Sequence, residues 1–137
     1  MPTFAADIRA FADRTVGQMR DVMRESTQDV VQAAQTPQVS KARGATGVVQ
    51  GKIPVDTGFL RNSLASGLNG SFGPEGPESY ALTVAGMEIG DVARFAWTAP
   101  HALPTELGHG SYRGAHFVGA NAARWSDFVA ANVAKLK

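Results

Sequence analysis

The sequence predicts an α+β fold: a small antiparallel β-sheet of about three to four strands, packed by a long N-terminal helix and a C-terminal helix. Apolar residues recur with helical spacing near both ends of the chain, and short alternating segments separated by turns lie between them. A long loop precedes the predicted sheet. The chain has 137 residues, 44% of them hydrophobic, which fits a single domain over residues 1–137.

The first helix is predicted from Thr3, a suitable cap, to about Gln35, with Pro37 as its stop. Its apolar residues fall on one stripe: Phe4, Ile8, Phe11, Met19, Val22, Val30 and Ala33. At ~1.5 Å per residue, the helix approaches 50 Å, which is long for a small domain. We expect the stripe to pack on the protein's own sheet, with contact to a neighbouring subunit as the alternative for part of it.

Residues Thr36–Lys52 are predicted to form a loop, because glycine and proline punctuate them and no hydrophobic period is present. Lys41, Arg43 and Lys52 are its charged residues, and it contains no acid. A solvated flexible loop is the simpler interpretation, and a surface that faces a polyanion is the alternative. The glycines before Lys52 do not form a phosphate-binding loop, since the spacing is one residue short and Ile53 replaces the required hydroxyl.

The predicted sheet begins at Leu64–Leu68. Asn69–Ser79, rich in glycine and proline, is predicted to be a turn or a long hairpin loop. Tyr80–Ala85 alternates apolar and small residues and is predicted to be a half-buried strand. After a turn at Ile89–Asp91, Val92–Thr98 is the next predicted strand. Successive strands with short links favour an antiparallel meander.

The remainder of the chain is predicted to be a connector and a second helix. Ala99–Gly114 is the connector, with one possible helical turn, in which Pro104 suits the first position and Gly108 the residue past the end. The second helix is predicted over Phe117–Leu136, where apolar residues again recur at helical spacing.

No catalytic, cofactor-binding or metal-binding residue is predicted. The chain has no cysteine, and His101, His109 and His116 match no standard zinc spacing. No serine lies in a glycine-flanked elbow, and no two carboxylates are held as a pair. The separate aromatic residues are assigned to the core: Phe95, Trp97, Trp125 and Phe128.

Charge and hydropathy exclude further classes of protein. The net charge of +1 does not indicate a strongly basic nucleic-acid binder. No segment approaches ~18 uncharged apolar residues, so no membrane span is predicted. Charged residues interrupt the N-terminal apolar residues, unlike a signal peptide, so we expect a protein that is made and used without export.

A distinctive stretch joins the loop to the predicted sheet: Pro54-Val55-Asp56-Thr57-Gly58-Phe59-Leu60-Arg61-Asn62-Ser63-Leu64. Either Asp56 or Thr57 is expected to cap a short helical turn. Phe59 and Leu60 are expected to anchor that turn in the core, leaving Arg61 free. The stretch is therefore predicted to form a fixed corner between loop and sheet.

This stretch closely resembles the Pro-x-Asp-Thr-Gly-x-Leu-Arg-x-Ser-hydrophobic signature of small neck and tail-completion proteins of tailed bacteriophages, the lambdoid-type head–tail joining components. The matching residues are Pro54, Asp56, Thr57, Gly58, Leu60, Arg61 and Ser63. A second family pattern, an aromatic followed by Ala-x-x-x-Glu-x-Gly, is matched by Ala102, Glu106 and Gly108. His101 replaces the usual aromatic, and Pro104 interrupts a segment that is more often continuous. The order of elements resembles the family over nearly the whole chain.

The resemblance implies a structural virion protein of the head–tail junction, either a neck or a tail terminator protein, with neither enzyme activity nor a cofactor. Such a protein forms a homo-oligomeric, usually sixfold, ring that caps the tail tube and leaves a channel for DNA. The implied partners are the tail-tube protein on one side and the head connector or stopper protein on the other. Transient contact with genomic DNA would involve Lys41, Arg43 and Lys52. The implied location is the virion, after assembly in the host cytoplasm.

Two other functions remain open at this point. The chain could be a different phage assembly part, such as a tail-tube or head-closure protein. It could also be a non-viral module that binds a small ligand near residues 101–116.

Overall fold

The computed structural model describes residues 3–136 and confirms the α+β class. The helices are α1 (Phe4–Ala34), α2 (Phe59–Asn62), α3 (Tyr80–Ala85), α4 (Ala102–Leu107), α5 (Gly119–Ala122) and α6 (Trp125–Ala134). The strands are β1 (Pro37–Val39), β2 (Ile53–Val55), β3 (Leu64–Leu68), β4 (Ala93–Trp97), β5 (Gly108–His109) and β6 (Tyr112–Arg113).

The strands form three separate two-stranded sheets rather than one meander. The predicted strands β3 and β4 are present, but they pair directly with each other, antiparallel and with Leu64 opposite Trp97, rather than through a strand between them. β1 and β2 instead pair in parallel, and β5 and β6 form a small antiparallel hairpin. The prediction of a strand at Tyr80–Ala85 is wrong, because this segment is helix α3. Its buried residues Tyr80, Thr83 and Val84 are three or four positions apart, which is the spacing of a helix face.

Helix α1 has 31 residues, so it is about 46 Å long. Thr3 caps it as predicted, since its Oγ1 accepts a hydrogen bond from the Ala6 amide at 3.1 Å. The buried residues of α1 all lie in its C-terminal third: Ser26, Val31 and Ala34. Only this part of the helix is embedded in the protein.

Helix α6 packs against α1, and a buried polar contact fixes their register. Asn132 Nδ2 donates to Ser26 Oγ at 3.1 Å and to Asp29 Oδ2 at 2.9 Å. A shift of either helix by one turn would leave these polar groups unpaired, at a cost of about 1–3 kcal/mol each.

The predicted single helix over Phe117–Leu136 is interrupted between α5 and α6. The side chain of Asn121 anchors α5 to the rest of the protein. Its buried Nδ2 donates to the Phe117 carbonyl at 2.7 Å and to the Gly51 carbonyl at 2.8 Å. A side chain that takes backbone acceptors in this way competes with a regular helix.

The predicted loop at Thr36–Lys52 contains β1 and a 3-10 turn at Lys41–Arg43. Gln38 ties the rest of it together. Its Nε2 donates to the carbonyls of Val49 (2.7 Å) and Lys52 (2.6 Å), while its Oε1 accepts the Val49 amide at 2.8 Å. The predicted loop therefore contains a strand and a turn, and the hydrogen bonds of Gln38 connect the strand to the later residues of the segment.

The core consists of two small neighbouring clusters. Phe117, Ile53 and Leu60 dominate one, and Leu64 and Tyr80 belong to the other. The indole of Trp97 packs against both clusters, and its ring meets that of Phe117 edge to face at 5.2 Å.

Gln35, directly after α1, is the buried polar group at the junction of these clusters. Its Nε2 donates to the carbonyls of Arg61 (2.9 Å) and Pro77 (2.8 Å), and its Oε1 accepts Trp97 Nε1 at 2.8 Å. One side chain thus connects the end of the first helix with three later segments.

Candidate functional site

The motif at residues 54–64 forms the expected corner. Gly58, with φ of +88°, is the cap residue of α2, a backbone conformation that favours glycine. Thr57 Oγ1 accepts the Phe59 amide at 3.3 Å, but no side chain caps α2, so the prediction that Asp56 or Thr57 caps this helix is wrong. Asp56 does not cap the helix, because its Oδ1 instead accepts a hydrogen bond from Arg43 Nε at 2.6 Å.

Two further predictions for this corner are wrong. Arg61 is not free: its Nε donates to the Gln35 carbonyl at 2.9 Å, which ties α2 to the end of α1. Leu60 is buried as expected, but Phe59 is 58% exposed. The Phe59 ring stacks on that of His101, with centroids 6.0 Å apart.

Three other motif residues lie in secondary structure or at its ends: Pro54, Ser63 and Ala102. Pro54 lies in β2 opposite Gln38 in the parallel pair. Ser63 Oγ donates to the Leu60 carbonyl at 2.7 Å and closes the end of α2. Ala102 begins α4 and packs against the first core cluster.

The second half of the motif fixes the connector. Glu106 accepts the amides of Val118 (3.0 Å) and Gly119 (2.8 Å) with its two carboxylate oxygens, and so holds the start of α5. Gly108 follows α4 as predicted, with φ of +89°, and a Cβ there would lie 2.6 Å from the backbone nitrogen of Gly114. Pro104, predicted at the first helical position, is the third residue of α4.

The first half of the motif lines a cleft of about 390 Å³ together with His101 and Thr105, hereafter the motif cleft, whereas Ala102, Glu106 and Gly108 do not line it. Phe59 and Thr57 form one wall, and His101 and Thr105 form another. Tyr112 closes the cleft, and burial raises the pKa of its phenol. Among residues 3–136, no hydrogen bond joins a serine to a histidine. The cleft therefore offers stacking and hydrogen-bonding contacts to a bound group.

Two of the three cations predicted to face DNA have partners. Arg43 pairs with Asp56, and both side chains are at least half exposed. The Nζ of Lys41 lies 5.5 Å from the centroid of the Tyr112 ring, a cation–π contact. Arg43 is therefore neutralised locally, while Lys41 and Lys52 keep uncompensated charges.

Two arginines that the sequence did not single out join these lysines. Lys41 and Arg113 line a cleft of about 380 Å³, and Lys52 and Arg124 line a second of about 240 Å³. Gln50 belongs to both clefts, and no Asp or Glu lines either of them. We call these four cations the basic strip. Only the fold could reveal it, because Arg113 and Arg124 are remote in sequence from the lysines.

The three histidines do not converge. The ring of His109 lies 5.6 Å from that of Tyr112, while His116 Nδ1 is 2.7 Å from Gln50 Oε1. His101 remains in the motif cleft. Within residues 3–136, no group of three or more metal-ligating side chains is close enough to hold a metal ion.

The N-terminal part of α1 projects from the protein. Every residue from 3 to 14 is exposed, and we call residues 4–14 the arm. Phe4 is 81% exposed, and Ile8 and Phe11 are each more than half exposed. The prediction that this stripe packs on the protein's own sheet is therefore wrong for the arm. The excess length of α1 is the sequence signal that indicates this.

An apolar groove of about 390 Å³ lies at the base of the arm, between α1 and α6. Met19 and Val22 form its α1 side, and Trp125 and Val133 of α6, with Leu136 just after that helix, form the other side. The assignment of Trp125 to the core is wrong, since 42% of this residue is exposed. The groove and the arm together form one continuous apolar face.

Comparisons with sequence profiles of protein families, with curated proteins and with solved structures find no match. The phage resemblance therefore rests on the sequence motifs. In the described part of the chain, no helix is both long enough and apolar enough to cross a membrane.

Proposed function

We propose that this chain is a structural protein of the phage head–tail junction, a neck or tail terminator protein that forms a ring around the DNA channel. The observation that carries the proposal is that residues of both motif halves position the backbone. Gly58, Arg61, Glu106 and Gly108 each hold a backbone segment in place. A ring component requires residues that stabilise its fold, and it does not require catalytic residues.

The surface of the protein supports self-association. A ring needs a surface that meets another copy and closes under rotation. The arm and groove present an exposed apolar face of the kind that marks interaction sites. A net charge of +1 permits many copies to assemble without strong mutual repulsion.

The basic strip is the proposed DNA-facing surface. Lys41, Lys52, Arg113 and Arg124 line acid-free clefts, so they would meet the phosphate backbone without reading its sequence. Compared with the three cations predicted from the sequence, the basic strip leaves out Arg43, whose charge Asp56 compensates, and adds Arg113 and Arg124.

A small-ligand binding module is the second candidate, and the motif cleft favours it. Its volume of about 390 Å³ lies within the range of small-molecule sites, roughly 300–1,000 Å³. The stacked rings of Phe59 and His101 would then contact the ligand. A tail-tube or head-closure role within the phage class would use the same surfaces as the leading proposal.

The genomic neighbourhood of the gene and electron microscopy of the purified protein together test the proposal. We expect flanking capsid, connector and tail-tube genes, and rings with a central channel that bind the ends of purified tail tubes. Flanking genes for metabolism, together with protein that never binds tail tubes, would reject the phage role.

The DNA contact has its own test. Replacing all four cations of the basic strip with glutamine should weaken the binding of duplex DNA and reduce its dependence on salt. A matched control compares the replacement of Lys52 and Arg124 alone with the replacement of Arg94 and Lys135, which lie outside both the basic strip and residues 4–14. Equal losses in both variants would show that the basic strip has no special role.

A further inference from the structure

We propose that the occupant of the apolar groove is the arm of a second copy of this chain. Phe4, Ile8 and Phe11 of one copy would pack against Met19, Val22, Trp125 and Val133 of the next. The proposal rests on the self-association in the proposed function, and it identifies the surface that forms the contact.

The arm has the composition of a helix that is covered in its working state. Phe4, Ile8 and Phe11 are at positions i, i+4 and i+7, so they lie on one side of α1. Transfer of such side chains from water to an apolar site stabilises by about 1.5–3 kcal/mol each. All three remain more than half exposed in the same copy, although the Arg14 guanidinium lies over the Phe11 ring, 5.8 Å from its centroid.

The groove is the matching surface. The stripe of the arm continues along α1 into Met19 and Val22, and α6 supplies the opposite wall. Met19 is 58% exposed and Val133 is 50% exposed. Each copy therefore has one exposed apolar helix and one exposed apolar groove.

The charges of the arm favour a second copy over other partners. Its polar side bears Asp7, Arg9, Asp13 and Arg14, a neutral set of two acids and two bases. Helices that lie on membranes instead have Lys/Arg-rich polar faces, and contacts with nucleic acid need an excess of positive charge. A neutral arm can approach a neutral copy of itself without repulsion.

The available area makes each single contact a modest one. Aromatic side chains bury 150–250 Å² each. Each contact joins one arm to one groove and covers on the order of 700 Å² of apolar surface on both partners together, below the roughly 1,200–2,000 Å² of a stable interface. In a closed ring every copy makes two such contacts, so closure adds to the stability of the assembly.

The ring of the proposed function requires each arm to enter the groove of the next copy, which is a head-to-tail contact; reciprocal exchange within a pair would give a dimer instead. Each copy inserts one arm and receives one, and repetition about a rotation axis closes a ring with no unfilled groove. The arm projects about 16 Å along its axis, enough for Phe4 to reach across the groove of a neighbour.

The first experiment measures the mass of the purified full chain by light scattering during size-exclusion chromatography. The arm variant combines Ile8→Glu with Phe11→Glu, and its control combines Ala6→Glu with Ala10→Glu on the opposite side of the arm. The groove variant is Val133→Glu, with Ala131→Glu as its control. We expect the wild type and both controls to be oligomeric, and both variants to self-associate at least about 30-fold more weakly, as for a lost hot spot.

Mixing the two variants is the decisive step. The groove variant retains an intact arm, and the arm variant retains an intact groove. An equimolar mixture therefore recovers one contact and should form a 1:1 heterodimer. Circular dichroism of each variant at the same concentration separates loss of contact from loss of folding.

The possible outcomes are distinct. If the arm variant dissociates while Val133→Glu does not, the arms pair with each other and the groove assignment is wrong. A wild type that is monomeric at high concentration would overturn the inference and assign the apolar face to another protein, while leaving a phage role open. A dimer that depends on both the arm and the groove would support the inference and reject the ring.

Discussion

Replacement of Gln35 by alanine should destabilise the protein more than any other single polar-to-alanine change near the motif. The side chain is buried, with only 2% exposed, at the end of α1. Its amide donates to the carbonyls of Arg61 and Pro77 and accepts the indole N–H of Trp97. Alanine would remove all three bonds and bring no replacement.

The magnitude follows from the three groups left without a partner. Each unpaired polar group costs about 1–3 kcal/mol when it is fully buried. Since these bonds are only partly buried, the lower end applies, and the free energy of unfolding should fall by about 3 kcal/mol. For a domain of this size, that corresponds to a decrease in Tm of roughly 10 °C.

Urea unfolding, followed by tryptophan fluorescence, measures the effect. Trp97 is the better reporter, because it packs on Phe117 while Trp125 is largely exposed. Gln32→Ala is the matched control, since Gln32 is exposed on the same helix and should change stability by less than about 0.5 kcal/mol. If Gln35→Ala cost no more than this control, the central role assigned to Gln35 would be refuted.

Two further predictions concern the second half of the motif and the dependence of stability on acidic pH. Gly108→Ala should lower the free energy of unfolding, measured by thermal unfolding, by about 3 kcal/mol or more, because a Cβ there would lie 2.6 Å from backbone atoms and φ is positive. Gly73→Ala is the control, since the space around Gly73 is open, and its stability should stay near that of the wild type. The hydrogen bond from Asn69 and the Glu88 amide hold the pKa of Asp91 below its usual value. The ionised Asp91 therefore stabilises the fold above the ordinary Asp pKa of about 3.9, and this contribution is lost as pH falls through the pKa of the folded state. In Asp91→Asn, the free energy of unfolding measured with urea should depend less on pH over that acidic range. An unchanged pH profile would contradict the assignment.

The sequence predicted the elements whose signals are local. Thr3 and the apolar stripe defined α1 within a residue at each end, and the strands at Leu64–Leu68 and within Val92–Thr98 were confirmed. Gly108 was predicted to follow a helical turn, and it does so with positive φ. These features depend on a residue and its near neighbours, so the sequence alone contains them.

The features that the sequence did not predict depend on contacts between distant residues. The parallel pairing of Pro37 with Ile53 involves strands too short to produce a periodic signal. Arg61 was expected to be free because its partner, the Gln35 carbonyl, is a backbone atom from another element. The alternation at Tyr80–Ala85 fits a strand by pattern, and only burial against its surroundings selects the helix.

Helix α1 is packed against the protein at its C-terminal end and exposed at its N-terminal end, and this difference affects how the protein moves. A helix as short as residues 4–14 is only marginally stable by itself in water, and here it is extended from a packed end at Ala34. Amide hydrogen exchange should therefore be slow near Ala34 and become progressively faster toward Phe4. When a neighbour captures the arm, its ordering would consume part of the binding free energy, which makes each contact weaker and more readily reversed. Errors made during the addition of subunits could then be corrected before the assembly closes.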